Sequence, residues 1–176
     1  IGKKLGPLFR SNTKIQNNLK ISNIGGTEDE REIIIKNMWG NYGRILSEYI
    51  FLKQFRKNNL SNFLEIEGLE HLNEIKKNNE QVIFVSGHFN NFELMAMEIE
   101  RVGINLCAIY RPLNNPFLNI VMEKLRKRYI CKYQIKKGKS GTRDLINLVK
   151  KEFSVALMID QRVSEGETIQ FFNHPA

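Results

Sequence analysis

A histidine and a carboxylate follow one short apolar segment at a spacing that could support acid/base chemistry. Residues 82–85 are β-branched or aromatic, which predicts a buried strand, and Ser86-Gly87 predicts the turn that ends it. His88 and Glu93 come next. Residues five apart on one helix point ~140° away from each other, so the two can meet only if His88 precedes a helix and Glu93 lies in its first turn.

This arrangement would make His88 a general base. A carboxylate on one imidazole nitrogen fixes the tautomer, and the other nitrogen can then take a proton from a substrate hydroxyl. Asn90 or Asn91 would cap the helix that carries Glu93. The same spacing also fits a turn histidine followed by an acidic residue that the helix dipole favours, so the residues alone leave both interpretations open.

Other catalytic motifs are weaker. Gly138-Lys139-Ser140 lies between a predicted strand and a predicted helix, but a phosphate-binding loop needs a glycine where the chain has Tyr133. The histidines and cysteines lack metal-ligand spacing; they are His71, His88, His174, Cys107 and Cys131. We therefore expect no metal site, no cofactor and no disulfide.

The positive charge is concentrated in one part of the chain. Of a net charge of +8, residues 111–151 contain twelve Lys and Arg side chains against two carboxylates, Glu123 and Asp144. Such a block favours a polyanionic partner, namely nucleic acid, anionic lipid, a phosphorylated substrate or an acidic protein. A solvated lysine-rich surface is the alternative. The chain contains no RNA-recognition aromatic motif or helix-turn-helix signature, so a nucleic-acid-binding module is the less favoured reading and nucleic acid is not an expected partner.

Strands and helices alternate through most of the chain. The patterns predict a helix over 28–57 behind a capping box at Thr27, a short strand at Phe63–Ile66, and a polar helix ending near Asn79. They then predict strands at 82–85, 105–110, 131–135 and 154–159, with helices at 91–102, 115–128 and 141–150. This order indicates an α/β fold with a largely parallel central sheet covered by helices. We expect a helical N-terminal segment over 1–60, packed on a core over 61–176.

The helix over 115–128 has two interpretations. It combines apolar and basic side chains, namely Phe117, Leu118, Ile120, Val121 and Leu125 with Lys124, Arg126, Lys127 and Arg128. That composition fits a helix lying on an anionic interface. It fits equally a crossover helix whose apolar stripe faces the sheet.

Several ordered blocks together resemble the bacterial lipid A biosynthesis acyltransferases, the lauroyl/myristoyl transferase family. The segment 87–93, Gly-His-Phe-Asn-Asn-Phe-Glu, is similar to the family's histidine-x4-carboxylate block, with Phe92 where tryptophan is common. Four further blocks resemble family segments, and these are Ile109-Tyr110-Arg111-Pro112 with Asn115-Pro116, Gly141-Thr142-Arg143-Asp144-Leu145, Asp160-Gln161-Arg162 with Glu165-Gly166, and residues 171–176, where Asn173 replaces the usual glycine. Leu5-Gly6-Pro7-Leu8 and residues 39–44 resemble the family's entry region.

The resemblance implies transfer of a fatty acyl chain from an acyl carrier protein thioester to a hydroxyl of a lipid A precursor. It implies that His88 deprotonates the acceptor and that Glu93 holds the imidazole. It further implies that Arg111 binds a glycolipid phosphate or stabilises developing charge, and that Asp160 steadies Arg111 or the acceptor sugar. Asn91 and Arg143 complete the substrate-binding residues that it implies.

The resemblance also implies a location and a wider protein. The partners would be acyl carrier protein, the glycolipid and an anionic membrane surface, at the cytoplasmic face of the bacterial inner membrane. A sister enzyme that acylates another glycolipid, of the phosphatidylinositol mannoside type with acyl-CoA as donor, is an alternative. Because the chain starts at Ile1 and stops within an expected strand and turn, we expect a fragment that lacks the hydrophobic anchor usual in the family.

Overall fold

A computed structural model describes residues 2–160, 168–171 and 173–175. The chain divides into two compact units, one formed by Ile1–Ile50 with Arg162–Ala176 and the other by Phe51–Gln161. The predicted packing of an N-terminal segment on the core stays a prediction.

The first unit is mainly helical. Its helices are α1 (Gly2–Leu5), α2 (Asn12–Ile21) and α3 (Glu28–Glu48), and its two short antiparallel strands are β5 (Gln170–Phe171) and β6 (His174–Pro175). The predicted capping box begins α3, since Thr27 Oγ1 accepts from the Glu30 amide and Glu30 Oε2 accepts from the Thr27 amide. The helix predicted over 28–57 is interrupted by a 3₁₀ turn at Tyr49–Phe51.

The two segments of the predicted entry region meet inside this unit. Gly6 lies against the indole of Trp39 so closely that a Cβ atom there would stand 2.2 Å from the ring. Gly2 similarly approaches the backbone of Trp39 and Gly43. Glycines at these positions therefore allow α1 and the turn after it to lie directly on α3.

The second unit has an α/β fold. Its helices are α4 (Leu52–Arg56), α5 (Leu69–Asn78), α6 (Glu93–Arg101), α7 (Pro116–Leu125) and α8 (Lys139–Val149). Its strands are β1 (Ile83–Ser86), β2 (Leu106–Tyr110), β3 (Tyr133–Lys136) and β4 (Ser154–Met158). All four strands are parallel and lie in the order β1-β4-β2-β3, which confirms the predicted fold class.

Helices cover the sheet as the alternating pattern predicts. On one face, Cys107, Ile135 and Val155 form a buried cluster against which Leu145 and Leu148 of α8 pack. The helix α6 packs against β2 and buries Met97. Burial raises the pKa of the Cys131 thiol to about 12, so this cysteine is a neutral core residue.

Two local predictions were wrong. No strand forms at 63–66, where the described chain has a 3₁₀ turn at Ser61–Phe63 followed by an extended but unpaired Leu64. The strand β1 forms as predicted but is not buried, because it is the edge of the sheet and leaves Ile83 and Val85 exposed. An apolar segment indicates a tendency to form a strand, but it does not indicate whether that strand lies in the middle or at the edge of the sheet.

None of the helices in the described part of the chain combines the length and apolar content that crossing a bilayer requires.

Candidate active site

The strand order brings three of the predicted site residues together at the carboxyl ends of the parallel strands, which we call the carboxyl edge of the sheet. The strand β4 lies between β1 and β2, and Ser86 is in register with Met158. The chain continues from these strands to His88 after β1, Asp160 after β4 and Arg111 after β2. Parallel α/β sheets bind their ligands outside the carboxyl ends of the strands, and this edge is therefore the candidate active site of the second unit.

Asp160 binds His88 through both of its carboxylate oxygens. Oδ1 lies 2.7 Å from the imidazole Nδ1, and Oδ2 accepts a hydrogen bond of 2.7 Å from the His88 backbone amide. These hydrogen bonds from His88 hold the pKa of the Asp160 carboxyl below its ordinary value of 3.8. The two side chains are 39% and 37% exposed, so the paired imidazole is accessible to a substrate.

The local sequence allows this two-point contact. Gly87 is buried between Phe89 and Asp160, and a Cβ atom there would stand 3.1 Å from Asp160 Oδ2. Asn90 adopts a left-handed conformation (φ 47°), which turns the chain between His88 and α6. The Phe92 ring then packs edge-on against the imidazole, with 4.6 Å between the ring centroids. The imidazole is thus held by a carboxylate and by an aromatic ring.

The predicted contact between His88 and Glu93 was wrong. His88 does precede the helix, and Glu93 is the first residue of α6, as the spacing required. Glu93 Oε1 nevertheless accepts two hydrogen bonds from the Arg126 guanidinium, one of them 2.7 Å long from Nε. The Glu93 and Arg126 side chains are only 6% and 12% exposed, whereas the imidazole stands at the surface. Glu93 is directed into the protein, and a carboxylate from another strand takes its place on His88.

Capping of α6 also differs from the prediction. The residue at the N-cap is Phe92, and no side chain caps the helix there. Asn91 lies one residue before it, half-buried, and its carbonyl accepts a hydrogen bond of 3.2 Å from the Leu94 amide. Asn91 therefore belongs to the turn between His88 and the helix.

The described structure places Arg111 and Arg143 at the same edge without bringing them to Asp160. Arg111 is exposed and follows β2 directly, and Arg143 is exposed in the second turn of α8, the helix that follows β3. The hydrogen bonds that the described residues give to Asp160 come from His88 and none from Arg111, so of its two predicted roles only the contact with the acceptor sugar stays a prediction. Both arginines remain candidates for binding an anionic group of a substrate.

A polar network fixes the end of β2 beside Arg111. Tyr110 donates to Glu123 Oε1 (2.5 Å), which also accepts from Asn119 (2.7 Å) and binds Lys136 (3.2 Å). Burial, reinforced by the hydrogen bond to Glu123, raises the pKa of Tyr110 and keeps the phenol neutral. Asn119 also accepts a hydrogen bond from the Leu113 amide, so the loop that carries Arg111 is tied to α7.

Two contacts of the candidate site residues were missed from the sequence. The pairing of Asp160 with His88 depends on the position of β4 next to β1, and 72 residues separate the two side chains. Arg126 lies in a short π-helical segment, Arg126–Ile130, that continues α7. A buried carboxylate needs a cation, but the burial of Glu93 is visible only in the structure, so the sequence offered no signal that singled out Arg126.

Among the residues that the structure describes, no group of three or more His, Cys, Asp or Glu side chains could hold a metal ion.

The chain belongs to an acyltransferase family. The chain matches the family of bacterial lipid A biosynthesis acyltransferases over residues 1–176, and it is therefore a member of that family. It is 27% identical over 133 residues to lipid A biosynthesis acyltransferase 2 of Shigella flexneri, a match that covers 73% of this chain and 41% of that protein. It is 26% identical over 103 residues to the lipid A biosynthesis myristoyltransferase of Escherichia coli (strain K12), covering 58% of this chain and 32% of that protein. The chain thus spans less than half the length of these relatives.

Proposed function

We propose that the protein transfers a fatty acyl group to a hydroxyl of a lipid A precursor, with His88 as the general base and Asp160 as the residue that orients it. The observation that carries the proposal is the two-point contact of Asp160 with the accessible His88 at the carboxyl edge of the sheet. Membership of the lipid A acyltransferase family supports the class of reaction and the acceptor. Glu93, the carboxylate of the predicted pair, takes a positioning role.

The contact with Asp160 leaves the chemistry to Nε2. In the neutral imidazole, Nδ1–H donates its hydrogen bond to Asp160, and Nε2 is free to act as the base. Nε2 removes the proton of the acceptor hydroxyl while the hydroxyl oxygen attacks the thioester carbonyl. The new C–O ester bond forms as the C–S bond breaks. The departing thiolate then takes the proton from the His88 imidazolium, whose charge the Asp160 carboxylate balances. No covalent enzyme intermediate is needed.

Glu93 supports this geometry from within the protein. Its carboxylate ties the first turn of α6 to Arg126, and α6 begins five residues after His88. The Phe92 ring, which contacts the imidazole, precedes Glu93 directly. A fixed α6 therefore fixes one wall of the site around His88.

The remaining substrate contacts follow from charge and position. Arg111, exposed at the end of β2, would bind a phosphate of the glycolipid or the developing oxyanion. Arg143, in the second turn of α8, and Asn91, in the turn before α6, would bind other polar groups of the acceptor. The donor would be an acyl carrier protein thioester, whose acidic surface suits the basic residues of 111–151. The reaction would take place at the cytoplasmic face of the inner membrane.

Acyl transfer by the purified full chain tests this proposal. Acyl carrier protein and acyl-CoA thioesters are each offered with a lipid A precursor and with a phosphatidylinositol mannoside, and the products are identified by mass spectrometry. We expect acylated lipid A precursor from the acyl carrier protein donor. His88→Ala should reduce the rate by about 10²-fold or more, while circular dichroism shows that the variant remains folded.

Two results would contradict the proposal. Turnover only with acyl-CoA and the mannoside would favour the sister enzyme. Unchanged transfer to the lipid A precursor by His88→Ala would remove the general base. The matched control is His71→Ala, since His71 is an exposed histidine whose nearest carboxylate, Glu70, is 3.9 Å away, and this variant should keep the wild-type rate.

A further inference from the structure

The helix α7 exposes large apolar side chains, while two of its polar side chains are half-buried. Its half-buried side chains are the apolar Met122 and Leu125 and the polar Asn119 and Glu123. Glu123 binds Asn119, Tyr110 and Lys136. Its outward side is apolar, since Phe117 is 82% exposed and Leu118, Ile120 and Val121 are each more than half exposed. The sequence interpretation in which the apolar stripe faces the sheet is therefore wrong for these four residues. Water alone does not favour such a surface.

The same outward side becomes basic towards the end of the helix. Spacings of three and four residues along α7 place Phe117 with Ile120 and Val121, and these two with Lys124. Arg128 follows in the π-helical segment after the helix, and all five side chains are exposed. Lys127 lies beside them and is also exposed. One face thus presents large apolar side chains first and cations next. A partner that fits it must offer an apolar interior bordered by negative charge.

We propose that this outward face of α7 docks on an anionic lipid bilayer, with Phe117, Ile120 and Val121 inserted among the acyl chains and Lys124 and Arg128 on headgroup phosphates. The inference rests on the proposed function, in which the acceptor is a membrane lipid. An apolar surface bordered by Lys and Arg is the pattern of helices that lie in the bilayer interface. A second copy of this chain would also carry a net charge of +8 and would place cations of like sign against Lys124 and Arg128.

The docking face adjoins the candidate active site. The strand β2 ends at Tyr110, Arg111 follows, and α7 begins at Pro116. The bond between the Leu113 amide and Asn119 fixes the loop between them to the helix. A bilayer in contact with α7 would therefore hold the lipid acceptor at the edge of the sheet that carries His88 and Asp160.

Vesicle binding by the full chain tests this inference. Co-sedimentation is measured with vesicles of phosphatidylcholine alone and of phosphatidylcholine mixed with phosphatidylglycerol. Lys124→Gln combined with Arg128→Gln should weaken binding to the mixed vesicles by roughly 30-fold, about fivefold for each charge, and should leave the phosphatidylcholine vesicles unaffected. Phe117→Ser combined with Val121→Ser should weaken binding to both by about tenfold or more.

Matched variants elsewhere in the second unit are the controls. Phe63→Ser removes another exposed phenylalanine, and Lys76→Gln with Lys77→Gln removes two exposed charges from α5. Both should bind vesicles like the wild type. Circular dichroism and urea midpoints establish that all variants are folded. In a separate variant, Phe117→Trp, indole emission beyond that of Trp39 should shift to the blue and be quenched by brominated lipids.

The alternatives give different results. Unchanged vesicle binding after the Phe117 and Val121 changes, equal losses in the control variants, or an unquenched Trp at 117 would each overturn the inference. A wild-type dimer that these changes dissociate, with vesicle binding unaltered, would identify a second copy as the occupant. Acyl transfer to a dispersed acceptor is measured in parallel. Transfer without vesicle binding overturns this inference alone, whereas absent transfer overturns the proposed function.

Discussion

Asp160 holds His88 at two points, with one carboxylate oxygen 2.7 Å from the imidazole Nδ1 and the other 2.7 Å from the backbone amide. One side chain therefore sets both the path of the loop and the orientation of the ring. This arrangement assigns the Nδ1 proton to the hydrogen bond with Asp160 and leaves Nε2 for the substrate.

The first prediction concerns the tautomer of His88. Nitrogen chemical shifts of the neutral imidazole should show a protonated Nδ1 in the wild type and in Glu93→Gln, because Asp160 remains in place. Asp160→Ala removes the acceptor, and the Nε2-protonated form should then predominate. A protonated Nδ1 that persists in Asp160→Ala but is lost in Glu93→Gln would return the role to Glu93.

The stability that Asp160 contributes should depend on pH. Hydrogen bonds from His88 lower the pKa of this carboxyl in the folded protein below its ordinary value of 3.8. The folded state thus binds fewer protons in mild acid than the unfolded state, so the stabilisation is present above pH ~4 and is lost as the pH falls through the folded pKa. The urea midpoint of the wild type should exceed that of Asp160→Asn at pH ~6, and the difference should narrow as the pH is lowered below the ordinary Asp pKa of 3.8. A difference that widens in acid would contradict the assignment.

The Glu93–Arg126 contact should contribute mainly to stability. Because both side chains are nearly buried, Glu93→Ala leaves a guanidinium with one fewer carboxylate and should lower the free energy of unfolding by about 3 kcal/mol. Glu70→Ala is the matched control, since Glu70 and its neighbour His71 are both exposed and 3.9 Å apart. It should change the free energy of unfolding by less than about 0.5 kcal/mol. Urea titration measures both values, and equal effects would refute the buried pairing.

Gly141, in the first turn of α8, should be required for the packing of this helix on the end of β3. A Cβ atom at Gly141 would stand 1.6 Å from the Lys136 carbonyl oxygen, so Gly141→Ala must displace the start of the helix and should cost about 2 kcal/mol or more. At Gly26 the nearest contact would be an ordinary 3.4 Å, and Gly26→Ala should be neutral or slightly stabilising. Thermal unfolding compares the two, and similar melting temperatures would contradict the close approach.

Much of the fold follows from short-range patterns. The alternation of apolar strands with amphipathic helices predicts every element of the parallel sheet, and the Thr27 capping box predicts the start of α3. These features depend on residues within one element. The order of the strands depends on contacts between elements, and the sequence therefore contained no direct indication that β4 lies beside β1.

The candidate site likewise combines features that the local sequence predicts with contacts that it does not. The spacing from His88 to Glu93 correctly places one residue before α6 and the other at its start. It could not reveal that the Glu93 side chain turns inward to Arg126, because that contact is set by the path of α7 and the π-helical segment after it. The identity of the carboxylate on His88 was therefore predicted incorrectly, although Asp160 itself was recognised as a site residue.

A double-mutant cycle on acyl transfer tests most directly whether Asp160 acts through His88. Single-turnover rates are measured for the wild type, His88→Ala, Asp160→Ala and the combined variant. We predict that Asp160→Ala alone slows transfer by roughly tenfold or more, and that it adds almost nothing once His88 is absent. The account would be contradicted if the rate losses of the two single variants multiplied in the combined variant. It would also be contradicted if Asp160→Ala kept the wild-type rate.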